Sequence, residues 1–215
     1  MSTPAIARQA QPIKLYRAAV SGHCHRVELF LSLLGLPFEL IDVDVAAKAQ
    51  KEPEFLKMNP FGQVPVIQDG DVTLADSNAI LVYLMHKYAN DQWISPDPVL
   101  AAQVQSWLSV AAGLVAFGPA AARAIILFGR PFNAEEVIGR ANGLFVVMDQ
   151  LLREMPFLVG DKPTLADIAN YSYIARAPEG RISLEPYPNI RAWLARIEAL
   201  PGFVPMMFSN VASAA

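Results

Sequence analysis

The sequence predicts an α/β segment followed by an all-α segment, and three features of the chain carry that prediction. From Ile13 to Tyr88, strand-like apolar runs alternate with helix-period patterns. The stretch 90–98, with Pro96, Pro98 and two aspartates, reads as a linker. Beyond it only helical periodicity and helix-capping signals appear. Domains are therefore expected at 13–89 and 98–207.

Within the first segment, Ile13 to Val20 is an apolar-rich run ending at Ser21-Gly22 and reads as a strand. Val27, Phe30, Leu31 and Leu34 recur at helical spacing and predict a helix closed by Gly35. Phe38 to Val45 alternates loosely, as a second strand would. The more polar 46–57 reads as a short helix or an irregular crossover. Asn59-Pro60-Phe61-Gly62 is turn chemistry. Val64 to Gln68, the turn Asp69-Gly70-Asp71 and Val72 to Ala75 make a hairpin, after which Ser77 is expected to cap a helix running to about Tyr88. The predicted order is β-α-β-α-β-β-α. In the second segment Asp97-Pro98 is a cap followed by proline at the first helical position. Asn133 with Glu136 has capping-box spacing, and Thr164 with Asp167 resembles the box with aspartate in the glutamate place. Helices are expected at about 98–128, 134–153, 164–175 and 188–199.

Composition limits what the chain can do. With 215 residues, 53% apolar and 17% charged, it can bury a substantial core. A net charge of −3 gives no field that would draw nucleic acid or an anionic membrane, so neither partner is expected. Cys24 is the one cysteine, which rules out an intramolecular disulfide and suits a reducing compartment. His23, His25 and His86 lack metal-ligand spacing, so no metal is expected. Residues 1–12 lack the apolar core of a secretory signal and read as a flexible arm. Pro98 to Ala122 carries no formal charge, but its glutamines, serines and Gly118-Pro119 make it read as a buried central helix of a soluble domain.

Three constellations carry candidate chemistry. Ser21-Gly22-His23-Cys24 lies where the first strand meets the first helix. Unpaired N–H groups and the helix dipole favour an anion at such a junction. A thiolate would be held there, with the Ser21 hydroxyl donating one more hydrogen bond. Lowering a thiol pKa from about 8.5 to about 6.5 makes it mostly ionised at neutral pH. The same serine also fits an ordinary helix cap. In Gln63-Val64-Pro65, a proline inside a strand belongs at an edge or kink. A cis Val64–Pro65 bond would free the Val64 amide and carbonyl for an extended peptide. Asp76-Ser77-Asn78 opens a helix whose N–H groups suit a carboxylate, with Asp76 suited to an ammonium. A plain capped helix has the same letters.

Their combination narrows the field. The S-x-x-C turn, N-P-F-G-Q-V-P at 59–65 and D-G-D-V-T-L-A-D-S-N-A-I-L-V-Y-L at 69–84 together resemble the glutathione-binding domain of the cytosolic glutathione transferases. P-F-L-V-G-D-K-P-T-L-A-D-I-A-N-Y at 156–171 is similar to that family's second-domain capping motif, and the likeness covers about 13–205. The resemblance implies an N-terminal thioredoxin-like domain and a C-terminal helical bundle that supplies the electrophile pocket. It implies a serine-type, theta-like bacterial glutathione S-transferase: a cytoplasmic, homodimeric detoxification enzyme. Such an enzyme conjugates glutathione, a co-substrate, to small hydrophobic electrophiles.

By resemblance, Ser21 is the catalytic serine, the Val64 backbone pairs with the cysteinyl unit and Pro65 is the cis proline. Asp76 and Ser77 hold the γ-glutamyl end. Gln50, Lys51 and Gln63 sit where relatives contact the glycyl or γ-glutamyl portions. Thr164 and Asp167 match the structural cap, and Cys24 is a candidate site thiol. Tyr16 lies too early to serve as the tyrosine of tyrosine-type members. The electrophile's walls are expected from the helix Trp107 to Phe117, with Arg123, Phe128 and Phe208. Two alternatives stay open: a glutathione-dependent disulfide or peroxide reductase, and a non-catalytic transferase-fold interaction module.

Overall fold

A computed structural model describes residues 11–89 and 93–209; most of the expected N-terminal arm, part of the expected linker and the last residues lie outside that range. The first half is a four-stranded sheet with helices: β1 (Ile13–Arg17), α1 (Gly22–Leu33), β2 (Phe38–Asp42), a 3-10 turn (Ala49–Lys51), α2 (Pro53–Met58), β3 (Val66–Asp69), β4 (Val72–Ala75) and α3 (Ser77–Tyr88). The strands lie in the order β2-β1-β3-β4. β1 runs parallel to β2 with Ile13 opposite Phe38, and antiparallel to β3 with Leu15 opposite Ile67; β3 and β4 form the expected hairpin. Two parallel neighbours need a crossover, and α1 is that crossover. Ile13 and Leu15 alternate with more exposed residues on β1 and are fully buried with Val27, Phe30, Leu31, Leu81 and Leu84.

Past Trp93 the described chain is helical: α4 (Pro98–Val110), α5 (Pro119–Phe128), α6 (Ala134–Glu154), α7 (Leu165–Ala175) and α8 (Pro188–Glu198). The single helix expected over 98–128 is broken. α4 runs into a π-helical turn at Ala111–Val115, and α5 begins anew at Pro119, whose ring nitrogen has no hydrogen to donate backwards. Nor is that stretch wholly buried. Val104, Leu108, Ala111 and Val115 pack inward, whereas Val99, Leu114 and Phe117 are exposed. By length and apolarity the 31 residues Pro98–Phe128 could cross a membrane. The inward-facing residues and the break at Pro119 account for much of that apolarity within a folded bundle.

The caps follow the sequence with one exchange. Asp97 caps α4 and Asn133 caps α6. Thr164 and Asp167 form a complete capping box on α7. On α3, however, Asp76 is the cap and Ser77 the first helical residue, because the Asp76 carboxylate accepts from both Asn78 N (3.0 Å) and Ala79 N (2.9 Å). α7 is the spine of the helical half: every residue from Leu165 to Ile174 is buried. It packs against both α1 and α4, which ties the two halves together.

Candidate functional site

The turn after β1 delivers Ser21 as the N-cap of α1, where its Oγ accepts from Cys24 N at 3.4 Å. A hydroxyl used this way as an acceptor keeps its own hydrogen to donate. Cys24 is turned the other way. It is 1% exposed, its Sγ accepts from Ala18 N at 3.4 Å, and burial pushes its thiol up to about 11. A protonated, buried sulfur offers neither a nucleophile nor a metal ligand.

One turn further on, α1 places two more polar groups beneath the same corner. Burial, and secondarily the Arg26 guanidinium, pull the His23 pKa down to about 3, so its ring is neutral. His23 Nδ1 lies 3.5 Å from Ser77 Oγ. Arg26 is 1% exposed; its Nη1 donates to Asn78 Oδ1 (2.8 Å) and to Ser77 Oγ (3.3 Å), pinning α1 to the start of α3. Burial lowers its pKa to about 10, which still leaves it charged at neutral pH.

The opposite wall is built by the loop before β3. Asn59 folds it, taking Phe61 N on Oδ1 (3.1 Å) and giving Nδ2 to Gln63 O (2.8 Å). Gly62 has φ +58°, and a Cβ there would stand 2.7 Å from Gln50 O, so glycine lets the segment around Gln50 close against the loop. Lys51 Nζ donates to Phe61 O at 2.9 Å. The Val64–Pro65 peptide is cis, as the sequence expectation had it.

These walls enclose a cavity of about 800 Å³. Gln50, Lys51, Gln63, Val64, Pro65, Asp76 and Ser77 all line it, joined by His23, Arg26, Asn59 and Asn78, and by Ala112 and Arg130 from the helical half. Ser21 and Cys24 are not among the lining residues; His23 is the part of their turn that reaches the cavity. Three cationic groups, Arg26, Lys51 and Arg130, thus face one anionic group, Asp76. Such a site suits a ligand with more than one carboxylate and a single ammonium. Among the described residues there is no cluster of three or more histidine, cysteine, aspartate or glutamate side chains to hold a metal.

Of the expected electrophile walls, Arg123 is otherwise engaged. It is buried in an ion pair with Glu179 (2.7 Å) and donates to Val20 O (2.6 Å). Phe208 lies under the Arg176 guanidinium, 3.5 Å from its ring centroid, and Phe128 is exposed. A second, shallower groove of about 490 Å³ is lined by Val110, Leu114 and Phe117 with Ser106, Ser109, Gly113 and Arg140. Arg26 escaped the sequence reading, although a lone charge in the core-facing series Val27, Leu29, Phe30, Leu31 was a signal that something polar sits beneath α1. His23 and Asn78 stood inside the turns Ser21-Gly22-His23-Cys24 and Asp76-Ser77-Asn78 that the sequence marks, but were assigned no role of their own there; both line the cavity.

Comparison with known proteins converges on one family. Residues 11–86 match the glutathione S-transferase N-terminal domain, and 115–201 match the glutathione S-transferase C-terminal domain. Glutathione S-transferase 3 of Zea mays is 36% identical over 208 residues, which span 89% of this chain and 91% of that protein. A glutathione S-transferase from Pseudomonas fluorescens superposes with a TM-score of 0.86 at 34% identity, covering 92% of this chain and 100% of the other. A glutathione transferase homologue from Drosophila mojavensis, solved with bound glutathione, gives 0.81 at 29% identity, covering 94% and 93%.

Proposed function

The chain belongs to the glutathione S-transferase family, and from that premise we propose that it adds the glutathione thiolate to small hydrophobic electrophiles. The observation that carries this reading is the charge pattern of the 800 Å³ cavity, three cations against Asp76. Glutathione has two carboxylates, one ammonium and an ionisable thiol, and so complements that pattern. In this reading Asp76 meets the γ-glutamyl ammonium, while Ser77 and the start of α3 take its carboxylate. The cis-Pro65 segment presents the Val64 backbone to the cysteinyl unit. Lys51, with Gln50 and Gln63, holds the glycyl end. The sulfur then passes His23 to reach Ser21 at the start of α1, where the hydroxyl and the helix N-terminus hold it as thiolate.

The electrophile approaches from the helical half. Region 13–89 acts as the glutathione domain and 98–207 as the domain that selects the second substrate. Serine-type, theta-like character rests on Ser21. A cytoplasmic, homodimeric detoxification enzyme is part of the same proposal, and the exposed apolar side chains Phe61, Leu114, Phe117, Val146 and Val147 support the dimer. Dithiol chemistry is disfavoured by the burial of Cys24, and a purely non-catalytic role by the retention of Ser21.

Steady-state kinetics with glutathione and chlorodinitrobenzene test the reading. Replacing Ser21 with Ala removes one charge-assisted hydrogen bond, about 1.5–3 kcal/mol, so kcat should fall roughly 10- to 150-fold while glutathione affinity changes little. The thiol pKa of bound glutathione should rise in the same variant. Parental turnover in Ser21→Ala would mean that another group holds the sulfur.

A further inference from the structure

We propose that Arg123 is a positioning residue for the reaction and that the C-terminal segment holds it in place: Ser209 fixes the Glu179 carboxylate, Glu179 orients the Arg123 guanidinium, and Arg123 grips the Val20 carbonyl that leads into Ser21. The proposal rests on the assignment of Ser21 as the thiolate-holding group.

The peptide between Val20 and Ser21 is held at both edges. Its N–H donates to Ala18 O at 2.9 Å, and its carbonyl accepts from Arg123 Nη1 at 2.6 Å. A peptide unit is planar, so two bonds on opposite edges fix its orientation. That plane determines where the Ser21 backbone begins. On its other side, the Ser21 carbonyl accepts from His25 N at 2.9 Å as α1 starts. The direction of the Ser21 side chain therefore depends on the Arg123 bond before it and on the helix after it. The donor comes from α5, 103 residues further along the chain, so no local spacing announces it.

Arg123 is 2% exposed, and its Nε donates to Glu179 Oε2 at 2.7 Å. Glu179 belongs to a 3-10 turn, Ala177–Gly180, that follows α7. A Cβ at Gly180 would stand 2.7 Å from Arg123 N and 2.9 Å from Ala122 C, so glycine lets this turn press on α5. The same Oε2 accepts from Ser209 Oγ at 2.7 Å, and Oε1 accepts from Ser209 N at 3.4 Å. Arg176 Nε lies 3.7 Å from Oε1, so Glu179 stands between two guanidinium groups. The C-terminal segment occupies the second of them: Arg176 donates to the Met206 carbonyl and lies over the Phe208 ring. Release of that segment frees Arg176 to draw Glu179 away from Arg123. An arginine aims its bonds from one rigid planar fork. A guanidinium that turns to follow Glu179 cannot keep its bond to Val20 O.

Arg123→Lys keeps a cation beside Glu179 but loses the fork, so one ammonium cannot reproduce both bonds in the parental geometry. Turnover with chlorodinitrobenzene should fall about 3- to 30-fold, less than in Ser21→Ala because the hydroxyl is displaced and not removed. Ser209→Ala leaves the ion pair in place and should lower turnover about 2- to 5-fold. In both variants the thiol pKa of bound glutathione, followed by thiolate absorbance, should rise. Affinity for S-methylglutathione, which has no thiolate, should stay at the parental value. A role confined to folding would lower stability in urea and leave the thiol pKa where it was. In a Ser21→Ala background neither substitution should move the thiol pKa further. An unchanged thiol pKa in Arg123→Lys, or an equal shift in both backgrounds, overturns the proposal. Should Arg123→Lys not fold, the same two results in Ser209→Ala decide it. A shift in Arg123→Lys without one in Ser209→Ala overturns the part assigned to the C-terminal segment. A Ser21→Ala variant that is itself as active as the parent would instead overturn the underlying assignment of Ser21.

Discussion

Asp76 shows how one residue can serve the fold and the ligand together. Its φ of +68° is unusual for a residue with a side chain, and one carboxylate oxygen is spent on the two amides that open α3. The carboxylate also faces the cavity as its one anionic group. Asp76→Ala is therefore a poor probe, because it removes a helix cap worth about 1 kcal/mol along with the charge. Asp76→Asn keeps the capping oxygen, tolerates positive φ and deletes the charge. It should leave thermal stability near the parent and weaken glutathione by about 1 kcal/mol, the scale of a solvent-reached ion pair. Calorimetry with glutathione and with its deaminated analogue checks the assignment. Equal losses for both ligands would show that Asp76 does not meet the amine.

At the scale of elements, the helix caps divide into those that close a helix and those that close the bundle. Asp167 belongs to the second kind. Fully buried, it accepts from Leu158 N (2.9 Å), Thr164 N (2.8 Å) and Trp193 Nε1 (2.8 Å), so it joins the loop before α7, α7 itself and α8. Asp167→Ala strands several buried donors and should cost about 3–5 kcal/mol in urea unfolding. Glu136 stands at the matching place on α6 but makes an exposed pair with Arg140 (2.8 Å). Glu136→Ala should cost less than about 0.5 kcal/mol. Comparable losses from the two substitutions would show that the α7 box is no more than a local cap.

Across the whole molecule, His25 ties three distant pieces of chain. Its ring nitrogens meet Ser172 Oγ on α7 (2.8 Å) and the Val204 carbonyl in the C-terminal segment (2.9 Å). Burial lowers its pKa to about 4; Arg176, Arg17 and Arg26 act in the same direction, and the Val204 carbonyl opposes them. A histidine whose folded pKa lies below its unfolded value binds its proton more readily when unfolded. Its contribution is thus complete above the unfolded pKa of about 6.5 and is lost as pH falls towards 4, by up to about 3 kcal/mol. Urea unfolding at pH 7, 5.5 and 4 should show this decline. His25→Gln, which can keep one hydrogen bond and cannot titrate, should decline less over the same window. Parallel curves for parent and variant would assign the acid lability to other groups.

The order of elements, most caps and the hairpin were legible in the sequence because each is decided within a few residues. Asp97-Pro98 starts a helix by local geometry, and Asp69-Gly70-Asp71 turns a strand whatever lies elsewhere. The residues Gln50 to Ser77 that line the cavity were also nameable, through motifs whose order resembled a known family. Other features depend on partners far away in the chain. Asp149 on α6 caps α8 through Asn189 N (2.8 Å) and Ile190 N (3.0 Å), which no local spacing announces. The break before Pro119 was written in the sequence, yet the apolar run on either side outweighed it. Which way Cys24 points, that Arg26 is buried under Ser77, and that Tyr173 stands over Gly22 were decided by the packing of α1 on α3 and α7. Local pattern fixes backbone conformation, because that is a short-range energy. The neighbours of a buried polar group are fixed by close packing, and that exists only once the whole chain has folded.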